Sequence, residues 1–405
     1  MRRRLKRSLL RSVVAAAIIA IPGAAAVGAG ATTSTWTVTT VASGLDAPRG
    51  IAFLPNGTLL VAEAGHGGDV CRPDVDNGVP LTRCIGTTSR ISSVNATTGA
   101  RATVVSGLFS MSGLGVTGAD GLAVRGGQIM TVLTDFPQRY ASWTCTGQPA
   151  DCNQVLAAAR AQAGTLVKAT PSGAFKVAGK VGEVDYAWTQ THTQLSNAPP
   201  NSNPYGLLPL PRGTFVADAG SNTLDFVSPN GHVELVAGDP LPPPGGFPGD
   251  GVPTCVAQAG GTTYVADLAG RVLTFQGTAK TRGKKVPQPT TLPLLTQVPV
   301  GAGLLHHVTG CAADRAGNLY LVDMWGRPGP PIPAGPAGVA NTGSVVMVAP
   351  GGQATVLASG LNFPNQIAVG VGGTLYVSVN STCPATGSPF PYCASGGTLV
   401  KLTHT

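Results

Sequence analysis

Six times along the chain an apolar run, a Gly-bearing turn and a second apolar or β-branched run recur. They are LDAPRGIAFLPNGTLLVAEAG (residues 45–65), GADGLAVRGGQIMTVLTD from Gly118, NPYGLLPLPRGTFVADAG from Asn203, VPTCVAQAGGTTYVADLAG from Val252, HVTGCAADRAGNLYLVDMWG from His307 and FPNQIAVGVGGTLYVSVNS from Phe363. Each reads as a β-hairpin. A hairpin recurring roughly every 50–85 residues cannot bury its apolar face alone, so the units must pack on one another.

Two more strands follow several hairpins. After the third they are NTLDFVS and HVELVAG around Pro229-Asn230-Gly231; after the first they are RISSVN and ARATVVS around a turn near Thr97 to Gly99. Four-stranded antiparallel units set radially make a β-propeller, which predicts an all-β, six-bladed fold. Residues 35–42 have the form of a fourth strand without a blade, and the chain ends on GTLVKLTHT, a third strand without a fourth. The expectation is that the N-terminal strand completes the last blade and closes the ring; a solenoid cap is the other reading.

Composition agrees with this class. The 405 residues include 56 Gly and 34 Pro, only 11% are charged and the mean hydropathy is +0.20, which suits short strands and tight turns and excludes disorder. The formal charge of +8 is misleading, because Arg2, Arg3, Arg4, Lys6, Arg7 and Arg11 crowd the N-terminus ahead of SVVAAAIIAIPGAAAVGAGA. This pattern reads as a secretory signal, with cleavage expected after Ala31. An uncleaved anchor over residues 12–31 is the alternative, against which Pro22-Gly23 and the alanine-rich end argue. The adjacent arginines match twin-arginine export, but the residues that should follow them are missing. Removing the six positive charges leaves 20 Lys and Arg against 18 Asp and Glu, so nucleic acid is not an expected partner. The expected organisation is a signal over 1–31 and one propeller domain over 32–405, secreted and monomeric.

Eight cysteines in an exported chain favour disulfides. Cys71 with Cys84, Cys145 with Cys152 and Cys383 with Cys393 are the simplest local pairs, leaving Cys255 and Cys311 on strands of adjacent blades. Eight cysteines allow 105 connectivities. A zinc site is the rival reading, but no C-x-x-C occurs.

ADAGSNTLDFVSPNG (217–231) resembles the core of an NHL repeat. Through APRGIAFLPNGTLLVAEAGHGGDVC with Cys84 beyond it, SNPYGLLPLPRGTFVADAG and VPTCVAQAGGTTYVADLAG, nearly the whole mature chain resembles the ScyD/ScyE family of secreted NHL-like propellers, named for proteins encoded with a cyanobacterial sunscreen-pigment pathway. The resemblance implies a six-bladed propeller and little chemistry. The sixth repeat departs from the pattern, with Val379 where the others place an acid.

Glu63, Asp218, Asp267 and Asp323 close the second strand of their repeats in register, and Asp135 lies two positions late. Repeated acids at strand ends are expected to be structural, accepting backbone N–H groups in the following turn. They share one face of the ring with residues that precede the first strands: Asp46, Asp120, Asn203, His306, His307 and Asn365. Long connections emerge on the same face, and insertions gathered on one face of a repeat protein are often its binding face.

Individual candidates follow. His306-His307 supply a metal ligand or a general base, or are simply solvated. Asn365 in FPNQIAV resembles the Pro-Asn step of lactonase-type propellers, which implies a metal role that Val379 leaves incomplete. Tyr205, Trp143 and Trp325 are candidates for an aromatic surface, or pack under loops. The residues NQVLAAARAQAG (153–164) read as a short helix. GFPGDG (246–251) lacks the strand-to-helix context of a phosphate loop. No G-x-S-x-G or H-E-x-x-H occurs.

Two functions remain. One is a non-catalytic propeller that binds a small ligand or an extracellular protein on its loop-rich face, with Asn203, Tyr205, His306, Trp325 and Asn365 as contacts. The other is a hydrolase of lactone or ester type, or a lyase, assisted by a divalent metal such as Ca held by Asn203, Asn365, Asp120 and His307, with His307 and Asp120 as catalytic candidates.

Overall fold

The computed structural model describes residues 36–404 apart from 77–78, 114, 196–199, 245–247, 280–286, 302, 327–338, 386–392 and 394–395. Residues 1–31, where an export signal is expected, most of the Pro/Gly-rich stretch after Trp325, most of the Cys383–Cys393 loop and part of GFPGDG lie outside the described residues.

Strands dominate, gathered into six antiparallel sheets. The first contains Pro48–Phe53, Leu59–Glu63, Val79–Val94 and Arg101–Ser112, with Val70–Asp76 and Val116–Thr117 added. The second contains Ala119–Arg125, Gln128–Leu133, Thr165–Ala169 and Phe175–Gly179. In the third, Pro204–Leu210, Gly213–Asp218, Thr223–Val227 and Val233–Gly238 follow in chain order. The fourth runs Pro253–Ala259, Thr262–Asp267, Val272–Phe275 and Thr296–Val298. The fifth has Val308–Ala313, Leu319–Asp323, Gly343–Val348 and Ala354–Leu361. The sixth takes three strands from the C-terminus, Ile367–Val369, Leu375–Val379 and Gly397–His404, and its fourth from the N-terminus: Trp36–Leu45 pairs with Gly397–His404, Trp36 opposite His404. The class is all-β and propeller-like.

The first strand of each sheet touches the first strand of the next, and that of the sixth touches that of the first. Glycine permits this approach. A Cβ on Gly50 would stand 2.4 Å from the Asp120 carbonyl oxygen, and one on Gly310 2.3 Å from that of Asn365. Between the sheets the alternate apolar side chains interdigitate. Phe215, Leu224 and Phe226 of the third pack with Val256, Val265 and Leu273 of the fourth. Full burial of side chains of this size contributes about 1.5–3 kcal/mol each.

Among the described residues, two α-helices decorate the sheets. α1 (Cys152–Gln162) lies where the alanine-rich stretch predicts it. α2 (Val181–Thr189) was not anticipated. Its buried face is Val181, Asp185, Trp188 and Thr189, a helical spacing hidden by the aspartate within it.

Four disulfides join Cys71 to Cys84, Cys145 to Cys152, Cys255 to Cys311 and Cys383 to Cys393. Cys255–Cys311 ties the first strands of the fourth and fifth sheets. The insertions carrying the first two dock on each other. The Gln148 amide exchanges two 3.0 Å hydrogen bonds with the Cys71 backbone. Arg72 donates to Thr144 Oγ1 at 2.8 Å and lies over the Trp143 ring. Such cross-links fit an oxidising compartment. Among the described residues no helix is long and apolar enough to cross a membrane.

Candidate functional site

The first strand of at least five sheets breaks register at the same place. In the third sheet Pro204 pairs with Asp218 and Gly206 with Ala217, so Tyr205 is an extra residue. The same shift leaves Thr254 in the fourth sheet and Thr309 in the fifth. Wider shifts take in Arg49 with Gly50 in the first and Asp120 with Gly121 in the second. Counting back from Ile367 opposite Val377 puts Asn365 at this position in the sixth. A bulge bends a strand and re-aims its side chain, and bulges concentrate beside active sites. The sequence spells the position as the residue before the close-approach site, in PRG, ADG, PYG, PTC, VTG and PNQ.

Two of the six side chains are tied to neighbouring backbone. Thr254 Oγ1 donates to the Val308 carbonyl at 2.6 Å, and Thr309 Oγ1 to that of Asn365 at 2.9 Å. The other four meet. Asn365 Nδ2 donates to the Tyr205 hydroxyl at 2.5 Å, joining the sixth sheet to the third. Arg49 donates from Nη1 to the same hydroxyl at 3.4 Å and from Nη2 to the Val116 carbonyl at 2.8 Å. Arg49 Nε lies 3.9 Å from Asp120 Oδ2, too far for a hydrogen bond but close enough for attraction.

This cluster is electrostatically under-compensated. Burial pushes the Asp120 carboxyl up to about 7, with Arg49 opposing it. Burial and the Asp120 charge push the Tyr205 phenol up to about 12, so it stays neutral. Three buried polar atoms have no hydrogen-bond partner: Arg49 Nε, Asp120 Oδ1 and Asn365 Oδ1. Buried polar atoms are nearly always paired, so three in one cluster of four side chains is unusual.

Among the strand-end acids Glu63 behaves differently, whereas burial pushes Asp267 up to about 6 and Asp323 above its ordinary range despite their donors. Glu63 stands opposite Pro48, Asp218 opposite Pro204, Asp267 opposite Pro253 and Asp323 opposite Val308, while Leu133 and Val379 fill the same slot in the second and sixth sheets. Glu63 accepts Asp46 N–H at 2.6 Å, two bonds from Arg90 at 2.9 and 2.7 Å and a short one from Ser92. Burial pushes its carboxyl up, but these donors and the Arg90 charge outweigh that and hold it below the usual range. Asp218 accepts the N–H groups of Asn203, Gly220 and Ser221, and Asp323 those of His306 and His307. Asp267 binds Arg271 through its N–H and Nε, and Arg271 also reaches Asp239. The acceptor role expected for the following turn thus extends to residues before the preceding strand, which fastens the hairpin at both ends.

Several sequence candidates are placed otherwise than expected. Asp120 lies within its strand rather than ahead of it. His307 is not solvated: it is fully buried and stacks on Trp325 with ring centroids 4.1 Å apart. Burial takes its imidazole down to about 4. His306 bonds Asp323 at 3.3 Å. Asn203 and His307 occupy the register position two residues before the bulge, in the next layer. Asn203 Oδ1 is already taken by the Asp135 N–H at 3.0 Å. Of the lactonase-like set, Asp120 and Asn365 therefore lie at the bulge and Asn203 and His307 two residues before it. Tyr205, Trp143 and Trp325 form no common surface, because Trp143 packs against Tyr140 below the second insertion. Arg49 was overlooked, although its place before Gly50 matches Asp120 before Gly121.

Among the described residues, one group of at least three His, Cys, Asp or Glu side chains has the spacing for a shared cation: Asp185, Asp218 and Asp225, all buried. A groove of about 960 Å³ lies elsewhere, between α2, the edge strand Phe175–Gly179 and the turn at Asn230–Val233, with Trp188 and His192 stacked at its wall.

No family model matches the chain and no curated protein matches it. Among solved structures, a structural-genomics protein from Bacteroides thetaiotaomicron is 11% identical at a TM-score of 0.52, over 92% of this chain and 76% of its own. A streptogramin B lyase is 12% identical at 0.46, over 91% and 98%. A gluconolactonase from Xanthomonas campestris is 11% identical at 0.47, over 91% and 89%. At such identities a likeness concerns the fold.

Proposed function

We propose that the six sheets are the blades of one closed propeller, exported through residues 1–31 and related to the ScyD/ScyE family, which binds a small neutral polar molecule at its axis without catalysis. The observation that carries the reading is the cluster of Arg49, Asp120, Tyr205 and Asn365, contributed by four sheets, with three buried hydrogen-bonding atoms unused. One donor and two acceptors match hydroxyl-bearing compounds, since each hydroxyl both donates and accepts. Once the Asp120 carboxyl is ionised, above about pH 7, it offsets the Arg49 guanidinium, which favours a neutral ligand over an ion. The disulfide-held insertions form the approach.

Calorimetry at pH 7 against a panel of polyols, sugars and lactones, with carboxylates and amines as controls, tests this. A neutral hydroxylated ligand should bind, at least tenfold more weakly to Asn365→Ala and Arg49→Ala, with Thr254→Val unchanged. Equal affinity in Asn365→Ala and the parent would sink the proposal, as would binding of the charged controls alone.

One observation favours hydrolysis instead. A carboxyl near pH 7 suits general acid–base chemistry. That reading expects lactone or ester turnover with a pH inflection near 7 that Asp120→Asn abolishes. Absence of turnover in the parent protein removes it.

A further inference from the structure

Asp185 comes from α2, Asp218 from the end of the second strand of the third sheet and Asp225 from its third strand. All three residues have 0% exposure, and one oxygen of each lies within 4.8 Å of the others. Isolated buried carboxylates are costly and are normally paired with cations or metals. No ion pair reaches these three among the described residues. Hydroxyls supply part of the compensation: Ser221 Oγ donates to Asp185 at 3.0 Å, Thr223 Oγ1 to Asp225 at 3.1 Å and Ser202 Oγ to Asp218 at 2.6 Å. Asp185 Oδ1 and Asp225 Oδ1, both fully buried, accept no hydrogen bond from a hydroxyl or N–H group.

We propose that Asp185, Asp218 and Asp225 bind one Ca2+ ion, which clamps α2 to the third sheet. The donors are all hard oxygens, as Ca2+ and Mg2+ require, and none is the sulfur or imidazole that zinc favours. Two oxygens on opposite sides of one Ca2+ stand roughly 5 Å apart, which accommodates the 4.8 Å limit. Mg2+ demands a smaller octahedron and retains waters, for which a fully buried cluster is ill suited. The ion also has a structural consequence. α2 forms a wall of the 960 Å³ groove, so its clamping sets the position of Lys180, Glu183 and Trp188 along that wall.

The test uses the whole chain, stripped with EDTA and dialysed. Calorimetry with CaCl2 should give one site per chain, and 1 mM Ca2+ should raise the melting temperature while 1 mM Mg2+ does not. Asp225→Asn should weaken Ca2+ binding at least 100-fold, whereas Glu183→Gln, on the exposed side of α2, should leave it unchanged. A second readout needs no variant. Tb3+ in this site would be sensitised by Trp188, three residues from Asp185 on α2, and Ca2+ should quench that emission by displacement. Absence of Ca2+-displaceable emission in the folded parent, or one-site Ca2+ binding that survives Asp225→Asn, overturns the proposal.

Discussion

Glu63 at a strand end and Asp120 at a bulge bury a carboxyl to nearly the same degree, at 1% and 3% exposure, yet their acidities move in opposite directions. Glu63 is met by a guanidinium, a hydroxyl and a backbone N–H. Asp120 has one guanidinium nitrogen at 3.9 Å and an oxygen with no partner. Exposure alone therefore does not set the direction in which these two carboxyls shift; the donors and charges around them do.

The largest effect that would sharpen this contrast is at the turn. Glu63→Ala strands Arg90, Ser92 and the Asp46 N–H, and should cost about 3–5 kcal/mol in urea unfolding, the range for breaking a buried pair. A loss below about 1 kcal/mol would erase the distinction.

The axis predicts a pH effect of similar size and opposite sense. The folded Asp120 carboxyl holds its proton to about 7, while the unfolded one releases it near 3.8. The unfolded state thus ionises first, and this group withdraws stability as pH rises from about 4 to 7, by about 4 kcal/mol for three pK units. Asp120→Asn should flatten that part of the stability–pH curve. An unchanged slope would show the carboxyl to be better paired than the geometry indicates.

His307 shows the reverse dependence. Its imidazole falls to about 4 in the folded state, so its contribution is complete above about 6.5 and is lost as pH drops toward 4, amounting to about 3 kcal/mol. His307→Phe retains a ring to stack on Trp325 and should remove this acid-side loss in the same titration.

The smallest effect is expected at Tyr205→Phe. It deletes the acceptor of the Asn365 bond and of the long Arg49 bond and should cost about 1 kcal/mol, while weakening ligand binding more than folding. If stability falls by more than the Glu63→Ala loss, the axial cluster is architecture as well.

Much of the fold was legible before any coordinates. Hairpin periodicity placed the first two strands of each sheet, and a spare fourth strand at the N-terminus with a missing one at the C-terminus anticipated the pairing of Trp36–Leu45 with Gly397–His404. Cysteine proximity matched the three local disulfides, and the repeat register matched Cys255 to Cys311. The site was legible only in fragments. Asp120 and Asn365 stood out as residues on one face and Tyr205 as an aromatic candidate, while Arg49 did not stand out; Asn203 and His307, named with Asp120 and Asn365, lie two residues before the bulge.

What the sequence by itself determined is local and periodic: apolar alternation, turn glycines and strand-end acids act within some twenty residues, so the repeat displays them. Which side chains share a point in space is decided only by the tertiary structure. Register shifts at Tyr205, Thr254 and Thr309, and the wider ones around Arg49 and Asp120, re-aim side chains lying up to 160 residues from their partners. α2 likewise carries Asp185 to Asp218 and Asp225 through packing that its own sequence does not announce. A carboxyl's acidity follows the donors and charges around it, and those neighbours exist only once the sheets have assembled.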